Sequence, residues 1–209
     1  MTYWQSETIC TAFNGKQLPG ADLPEIVFVG RSNVGKSTLI NALLGRLNKK
    51  VAYVSSKPGK TRSANFYRIQ TPESAEGERT FCLVDMPGYG YAARGRDERE
   101  NWWRLVGDYF RDDRDTMFAI HLIDFRHGPL KGDLELIDWL DSLDLPRLVV
   151  FTKGDKVPRG RSRVFYDKYV APGLVSILPP IVTFGKNDGA AEELRVAIPK
   201  IISGLHDAD

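Results

Sequence analysis

The segment that most constrains this chain is glycine-rich and reads GRSNVGKS at residues 30–37. It follows an apolar run, EIVFV at 25–29, and opens a predicted helix at 36–44. Glycines let a backbone wrap around a phosphate group, and the amides at a helix N-terminus then point towards that group. The spacing G-x-x-x-x-G-K-S therefore predicts a strand, a phosphate-binding loop and a helix, in that order.

Within this loop, the Lys36 ammonium can reach the β- and γ-phosphates of a nucleotide, and the Ser37 hydroxyl can ligate Mg²⁺. The whole loop is predicted to contact phosphate, and its residues are Gly30, Arg31, Ser32, Asn33, Val34, Gly35, Lys36 and Ser37.

Length and composition limit the other possibilities. A chain of 209 residues with 42% hydrophobic residues can bury the core of one domain. The net charge of +2 excludes a polyanion mimic or a histone-like polycation. Cys10 and Cys82 are too far apart to suggest a disulfide framework or a metal motif. There is no signal-like N-terminus and no apolar run of roughly 20 residues, so we expect a cytoplasmic protein.

Short apolar runs alternate with helical patterns along the chain, which predicts an α/β fold with a doubly wound sheet and helices on both faces. We expect an N-terminal extension at 1–22 that packs on a single domain at 23–205, followed by a frayed tail at 206–209. Pro199 should kink or break the last helix. The predicted strands are 25–29, 64–70, 80–85, 117–124, 147–152 and 176–183. The predicted helices are 36–44, 98–110, 133–143, 161–170 and 190–205.

A second candidate site residue ends the apolar strand 80–85. Asp85 begins the sequence DMPG, in which the carboxylate can hold Mg²⁺ through water and the Gly88 amide can sense a γ-phosphate. Alone, D-x-x-G is more often only a turn, but its place after a strand and a phosphate loop favours the nucleotide site. The predicted contacts here are Asp85, Met86, Pro87 and Gly88.

A polar segment, SKPGKTR at 56–62, lies between these two motifs. Thr61 could ligate Mg²⁺ and touch the γ-phosphate, so that the segment orders only with a triphosphate bound. The alternative is an ordinary loop threonine. The predicted contacts of this first switch are Gly59, Lys60, Thr61, Arg62 and Ser63.

The base is predicted to lie at TKGD, residues 152–155, directly after the strand 147–152. The Asp155 carboxylate can accept both the N1–H and the 2-amino group of guanine. Adenine lacks those donors, so GTP is favoured over ATP. The Lys153 stem can lie beneath the base, and the Thr152 hydroxyl can tie this segment to the phosphate loop. The predicted base contacts are Thr152, Lys153, Gly154 and Asp155.

Five segments together resemble the EngB family of bacterial GTPases: GRSNVGKSTLIN, SSKPGKTRSANFY, LVDMPGYGYA, LIDFRHGP and TKGDK. The resemblance implies a P-loop NTPase of the Ras-like type, with a mostly parallel sheet of about six strands. It also implies Mg²⁺-dependent hydrolysis of GTP to GDP, a role in large (50S) ribosomal subunit assembly, and a need for the protein in cell division and septation. By position, Ser37 and Thr61 become magnesium ligands and Asp85 a ligand through water. The resemblance also makes residues 85–88 the second switch and residues 152–155 the base reader.

The chain departs from the family pattern after its last predicted strand. Where the family places a Ser-Ser pair whose amides meet the guanine O6, this chain has VTFG at 182–185. Backbone amides can still serve, so the expected contacts are Val182, Thr183 and Phe184.

Hydrolysis lacks its usual water-orienting residue, because Tyr89 follows DMPG where Ras-type GTPases have Gln. Intrinsic turnover should therefore be slow. Asn33 lies where related GTPases help to bind a potassium ion, and residues near 57–60 would complete that ion's shell. Alternatively, Asn33 only shapes the loop, or the ribosomal particle donates the missing group.

Basic residues cluster beside the predicted switches, which suggests contacts to ribosomal RNA and proteins. Tyr89, Tyr91 and Phe66 could stack on unpaired bases. The alternative is a solvated face that serves only the triphosphate. We expect a monomer. Arg94, Arg96 and Arg99 follow the second switch. The other basic residues are Arg46, Lys49, Lys50, Lys57, Lys60, Arg62, Arg68, Lys153, Lys156, Arg159, Arg161, Arg163 and Lys168.

Two other classes of function fit these residues. One is a guanine-nucleotide-binding scaffold with negligible turnover, in which Tyr89 marks lost catalysis. The other is an RNA-binding assembly factor whose nucleotide site only stabilises the fold. An ATP-dependent P-loop kinase is disfavoured by TKGD. Trp102, Trp103 and His121 are expected in the core, and His127 has no expected catalytic role.

Overall fold

The computed structural model describes residues 4–45, 63–72, 77–90, 96–111, 114, 116–171, 174–185 and 189–206. Its strands are β1 Gln5–Ala12, β2 Glu25–Gly30, β3 Ala64–Gln70, β4 Thr80–Asp85, β5 Thr116–Asp124, β6 Arg147–Thr152 and β7 Ile181–Val182. Its α-helices are α1 Lys36–Leu43, α2 Arg96–Arg111, α3 Lys131–Asp141, α4 Ser162–Val170 and α5 Ala190–His206.

The strands form one sheet in the order β1-β3-β4-β2-β5-β6-β7. The pairs β1–β3 and β3–β4 are antiparallel, and the other four pairs are parallel. The carboxyl ends of β2, β4, β5 and β6 therefore meet at one edge of the sheet, where ligands bind in open α/β folds. The predicted α/β class and mostly parallel sheet are confirmed.

Helices cover both faces of the sheet, because side chains alternate along each strand. In β2, Ile26 and Phe28 pack in one cluster with α1 and α5, whereas Val27 and Val29 pack in another with α2 and α3. A third, smaller cluster lies under α4. Every residue of β2 and β6 is buried, as continuous apolar strands between two helical layers should be.

The estimate of about six strands was one too low, because the N-terminal extension contributes β1. This strand pairs with β3 from Gln5↔Gln70 to Ala12↔Ala64, with a bulge between Thr8 and Cys10. Most of its residues are exposed, so an edge strand of this kind carries no apolar run that sequence analysis can detect. Ahead of it, the buried Trp4 packs edge-on against Phe81 at 5.4 Å between ring centroids.

Two predictions near the C-terminus need correction. The strand predicted at 176–183 is only two residues long, Ile181–Val182. Helix α5 also continues through Pro199, so the predicted break is wrong, whereas the alternative of a kink stays a prediction. Proline removes one backbone hydrogen bond and crowds the preceding turn, but α5 keeps its apolar face in the core through Leu194, Ile198 and Ile202. The other boundaries agree to within about two residues, as helix ends generally do.

Among the described residues, no helix is both long enough and apolar enough to span a membrane.

Candidate nucleotide site

The glycine-rich loop joins β2 to α1 at the carboxyl edge of the sheet. Gly35 has φ 117° and lies just before α1, a left-handed conformation that glycine adopts without steric cost. The N-cap residue, Gly35, has no side chain that could cap the first amides of α1, so these donors suit an anionic ligand. The Val34 amide donates to the Arg31 carbonyl at 3.1 Å and tightens the turn. The backbone therefore has the form that the G-x-x-x-x-G-K-S spacing predicts.

Lys36 and Asp85 form an ion pair between Nζ and Oδ1, and both side chains are buried. Neighbouring strands bring them together, because β4 ends at Asp85 beside Phe28 of β2. The ammonium can neutralise phosphate, and the carboxylate lies where a metal bound to phosphate could be held.

The donors near this pair fit magnesium. Ser37, which is half-buried in the first turn of α1, and Asp85 offer hard oxygen ligands, which Mg²⁺ prefers. Within the described part of the chain, no group of three or more His, Cys, Asp or Glu residues could hold a metal ion. A magnesium ion commonly takes one or two protein ligands and its remaining ligands from phosphate and water, so the Ser37 and Asp85 oxygens are a sufficient donor set.

The DMPG segment lies directly on the phosphate loop. The Ser32 amide donates to the Tyr89 carbonyl at 2.8 Å, and the Ser32 hydroxyl donates to the Gly88 carbonyl at 3.0 Å. The Tyr89 amide donates to the Gly30 carbonyl at 3.3 Å. A Cβ on Gly88 would lie 2.8 Å from the Ser32 backbone, so only glycine permits this approach. A displacement of either segment must therefore disturb the other.

Tyr89 points away from the phosphate loop into a buried polar cluster. Its hydroxyl donates to Asp133 Oδ1 at 2.6 Å and lies 2.9 Å from His121 Nε2. The other Asp133 oxygen accepts from the Leu130 amide at the start of α3. Burial, and then the Asp133 carboxylate, raise the pKa of Tyr89 well above its usual range, so the phenol stays protonated. His121 is fully buried, as expected for a core histidine.

The indole of Trp102 also contacts this segment. It donates from Nε1 to the Pro87 carbonyl at 2.6 Å, and its ring meets the Tyr89 ring edge-on at 5.6 Å. Trp102 is buried, which confirms the core assignment, whereas Trp103 is only half-buried. The predicted second switch and Tyr89 thus contact α2, α3 and β5 at once, an arrangement that was not predicted from the sequence.

The predicted stacking of Tyr89 and Phe66 on RNA bases was wrong. Phe66 is fully buried, and its ring packs 6.2 Å from that of Tyr109. Only 9% of Tyr89 is exposed. The pleat of β3 turns the Phe66 ring into the core, and the cluster with Asp133 and His121 holds the Tyr89 ring there. Neither ring can therefore reach a base. Tyr91 lies outside the described residues.

Replacing Tyr89 with Phe should lower the free energy of unfolding by about 1–3 kcal/mol, because the buried Asp133 carboxylate loses a hydrogen-bond donor. Urea denaturation followed by tryptophan fluorescence measures this. Tyr166→Phe is the matched control, since Tyr166 is half-buried and its ring packs against Phe151. Equal losses of unfolding free energy for the two variants would show that the polar cluster contributes nothing to stability.

The TKGD segment contacts the phosphate loop through two side chains. The Thr152 hydroxyl donates to the Val34 carbonyl at 2.6 Å, which is the predicted tie. Lys153 Nζ donates to the Asn33 carbonyl at 2.6 Å and pairs with Asp124 Oδ2 at 2.9 Å. Asp124 was not among the predicted site residues, although it belongs to the LIDFRHGP segment that carried part of the family resemblance.

Asp155 is exposed in a short 3₁₀ helix, Gly154–Lys156, and pairs with Lys156 Nζ at 2.8 Å. The Gly154 amide donates to the Thr183 carbonyl at 2.8 Å. A Cβ on Gly154 would lie 2.9 Å from atoms of Val182, Thr183 and Phe184, so 182–184 lies against the base segment. The Thr183 amide donates to the Phe151 carbonyl, and the expected contact of 182–184 with the guanine O6 stays a prediction.

Some predicted residues lie outside the described part of the chain. They include the first-switch residues Gly59, Lys60, Thr61 and Arg62, whereas Ser63 is described and buried. Much of the predicted basic face is outside as well: Arg46, Lys49, Lys50, Lys57 and Arg94. For Arg96 and Arg99 only the backbone is described. Arg68, Lys156, Arg159, Arg161, Arg163 and Lys168 are exposed.

Comparison with known proteins agrees with this geometry. The family model described as "50S ribosome-binding GTPase" matches residues 25–153. A probable GTP-binding protein EngB of Oceanobacillus iheyensis is 44% identical over 157 residues, which cover 75% of each chain.

Two solved structures are also similar. The crystal structure of a probable GTP-binding protein EngB aligns with a TM-score of 0.57 and 26% identity, over 86% of this chain and 99% of that one. Era, solved in complex with MgGDPNP and nucleotides 1506–1542 of 16S ribosomal RNA, aligns with a TM-score of 0.63 and 26% identity, over 85% of this chain and 56% of that one. Sequence, fold and phosphate loop agree, and the chain belongs to the EngB family of GTP-binding proteins, which are GTPases.

Proposed function

We propose that this GTPase is a molecular switch in the assembly of the large (50S) ribosomal subunit, and that cell division and septation depend on it through that role. The observation that carries the proposal is that Ser32 of the phosphate loop donates hydrogen bonds to the carbonyls of Gly88 and Tyr89. A third phosphate group would arrive beside this contact, so its presence or loss would move the second switch. The description of the matching family, which names 50S ribosome binding, supports the choice of particle.

In this proposal the phosphate-loop amides and Lys36 bind the β- and γ-phosphates. Ser37 and Thr61 would ligate Mg²⁺, and Asp85 would hold it through water; the bound ion would supply positive charge next to the phosphates. Asp155 reads guanine, and the Lys153 stem lies beneath the base.

The proposed partner surface is the exposed basic set that follows the base segment, which includes Arg159, Arg161 and Arg163. Such a surface binds RNA phosphates without sequence preference. Era, which shares the fold, was solved with ribosomal RNA. A ribosomal partner also places the protein in the cytoplasm, where we expect it to act as a monomer.

Tyr89 cannot orient the attacking water in this arrangement, because its hydroxyl is engaged by Asp133. We therefore expect turnover on the order of 10⁻⁴ to 10⁻³ s⁻¹, as for small GTPases without an activator. An activating charge must come from elsewhere. One source is a potassium ion bound with the help of Asn33, and the other is a group of the ribosomal particle.

The test is phosphate release from GTP and Mg²⁺, in potassium and in sodium salts, with and without large-subunit precursor particles. Stimulation by the particles, together with tighter particle binding in GTP than in GDP, is the expected result. Stimulation by potassium alone would support the Asn33 site, and equal rates in both salts would exclude it. An affinity for the particle that is the same with GTP and with GDP would contradict the switch. It would favour an assembly factor whose nucleotide site only stabilises the fold.

A further inference from the structure

Asp124 is a carboxylate at the carboxyl edge of the sheet that the proposed function does not use. It ends β5, which lies between β2 and β6 in the sheet. The phosphate loop follows β2 and the base segment follows β6, so a side chain at the end of β5 lies between the two parts of the site. Asp124 is largely buried there, at 8% exposure.

The Lys153 ammonium joins the two segments at this point. It donates to the Asn33 carbonyl at 2.6 Å and lies 2.9 Å from Asp124 Oδ2. Lys153 itself has φ 62°, a left-handed conformation that is unfavourable for a residue with a Cβ. Its side chain therefore needs partners that hold it in this position, and Asp124 supplies the charge.

Arg126 in turn holds Asp124. Its Nε donates to Oδ1 at 2.9 Å, its Nη2 to Oδ2 at 2.7 Å, and its amide to Oδ1 at 3.1 Å. Burial alone would raise the pKa of Asp124, but the hydrogen bonds from Arg126 and Lys153 outweigh it and hold the pKa well below its usual range. Asp124 is thus a fixed, ionised carboxylate.

We propose that Asp124 is a positioning residue for the guanine nucleotide, which holds the Lys153 ammonium against the phosphate loop and so sets the distance between the base and phosphate parts of the site. The inference rests on the proposed base site at 152–155. Because the contact involves neither switch, it should strengthen GDP and GTP binding equally. It should not change the rate constant of hydrolysis once GTP is bound.

Asp124→Asn tests this, because Asn keeps the shape and loses the charge. We expect the affinities for a fluorescent GDP analogue and for a non-hydrolysable GTP analogue each to fall by about ten- to a hundredfold. This corresponds to the free energy of a hydrogen bond to a charged group. Single-turnover hydrolysis at saturating GTP should stay unchanged. Removing a negative charge near an anionic ligand would by itself tighten binding, so weaker binding has to come from lost positioning.

The matched control is Asp144→Asn, which changes the net charge equally. Asp144 is exposed just before β6, at the opposite edge of the sheet, so nucleotide affinity should be unaffected. If both variants bind nucleotide like the parent chain, Asp124 has no positioning role and the inference is wrong.

A double-mutant cycle with Lys153→Met separates positioning from a general effect on folding. If Asp124 acts through Lys153, Asp124→Asn should weaken nucleotide binding in the parent chain and have no further effect in the Lys153→Met chain. Equal effects in both backgrounds would overturn the inference.

Adding the variant Asp155→Ala to these measurements separates this inference from the proposed base site. Should Lys153→Met and Asp155→Ala both leave guanine-nucleotide affinity unchanged, the base site itself is wrong, and the inference fails with it. If those two variants weaken binding and Asp124→Asn does not, only the role of Asp124 is refuted.

Discussion

Replacing Lys36 with Ala is expected to lower phosphate release from GTP by at least about 10²–10³-fold, the cost of removing one group that stabilises developing charge. Lys36 is buried at the start of α1, next to Asp85 and the uncapped amides of the phosphate loop. No other described ammonium pairs with Asp85. Phosphate release under multiple turnover measures the effect on hydrolysis, and binding of a fluorescent GTP analogue measures the effect on nucleotide affinity.

The control for this variant is Lys131→Ala, which removes the same charge from an exposed side chain of α3. Its turnover should match that of the parent chain. Because Lys36→Ala leaves the Asp85 carboxylate buried without its ammonium, urea denaturation must show that the variant is folded at the assay temperature. A folded variant that still hydrolyses GTP at the parent rate would place the phosphate site elsewhere.

Replacing Arg114 with Met is expected to lower the free energy of unfolding by about 3–5 kcal/mol, the cost of breaking a buried ion pair from one side. Arg114 donates from Nε and Nη2 to the two carboxylate oxygens of Glu25, each at 2.8 Å. Only 2% of either side chain is exposed. Its Nη1 also donates to the Pro19 carbonyl at 2.9 Å, and its guanidinium lies over the Tyr109 ring at 5.1 Å.

The double variant Glu25→Leu with Arg114→Met tests the cause. A buried ion pair replaced as a whole by apolar side chains often costs little, because no charge is left without a partner. The double variant should therefore be more stable than Arg114→Met alone, as measured by urea denaturation. A double variant that is less stable by the sum of both single losses would contradict this, and would assign the loss to packing rather than to an uncompensated Glu25.

The Arg114–Glu25 ion pair lies away from the nucleotide site. Glu25 begins β2 and lies at the amino edge of the sheet, whereas the nucleotide site is at the carboxyl edge. Arg114→Met should thus leave nucleotide binding intact at temperatures where the chain is folded, whereas Lys36→Ala removes turnover from a folded chain.

Much of the site was predictable because its signals are local. Glycines at fixed spacing after an apolar strand imply a phosphate loop, since only glycine adopts the φ of 117° at Gly35 without strain. The buried strands β2 and β6 could be read from continuous apolar runs. The first switch around Thr61 stays a prediction, because it lies outside the described residues.

Other features had no local signal. Strand β1 is exposed along most of its length and is a strand only because it pairs with β3. An unbroken α5 likewise depends on the core that its apolar face meets rather than on the helix propensity of Pro199.

The sequence by itself determined the phosphate loop and the α/β class, because backbone sterics and hydrophobic periodicity act over a few neighbouring residues. The resemblance to the EngB family came from its motifs, and the base-binding role of 152–155 stays a prediction. Only the tertiary structure decided which polar side chains meet. Tyr89 donates a hydrogen bond to Asp133, which is 44 residues away in the chain, and Lys153 donates one to Asp124, which is 29 residues away. Such pairs form because buried polar groups must find partners, and the order of strands in the sheet, not their order in the chain, determines which partners are within reach.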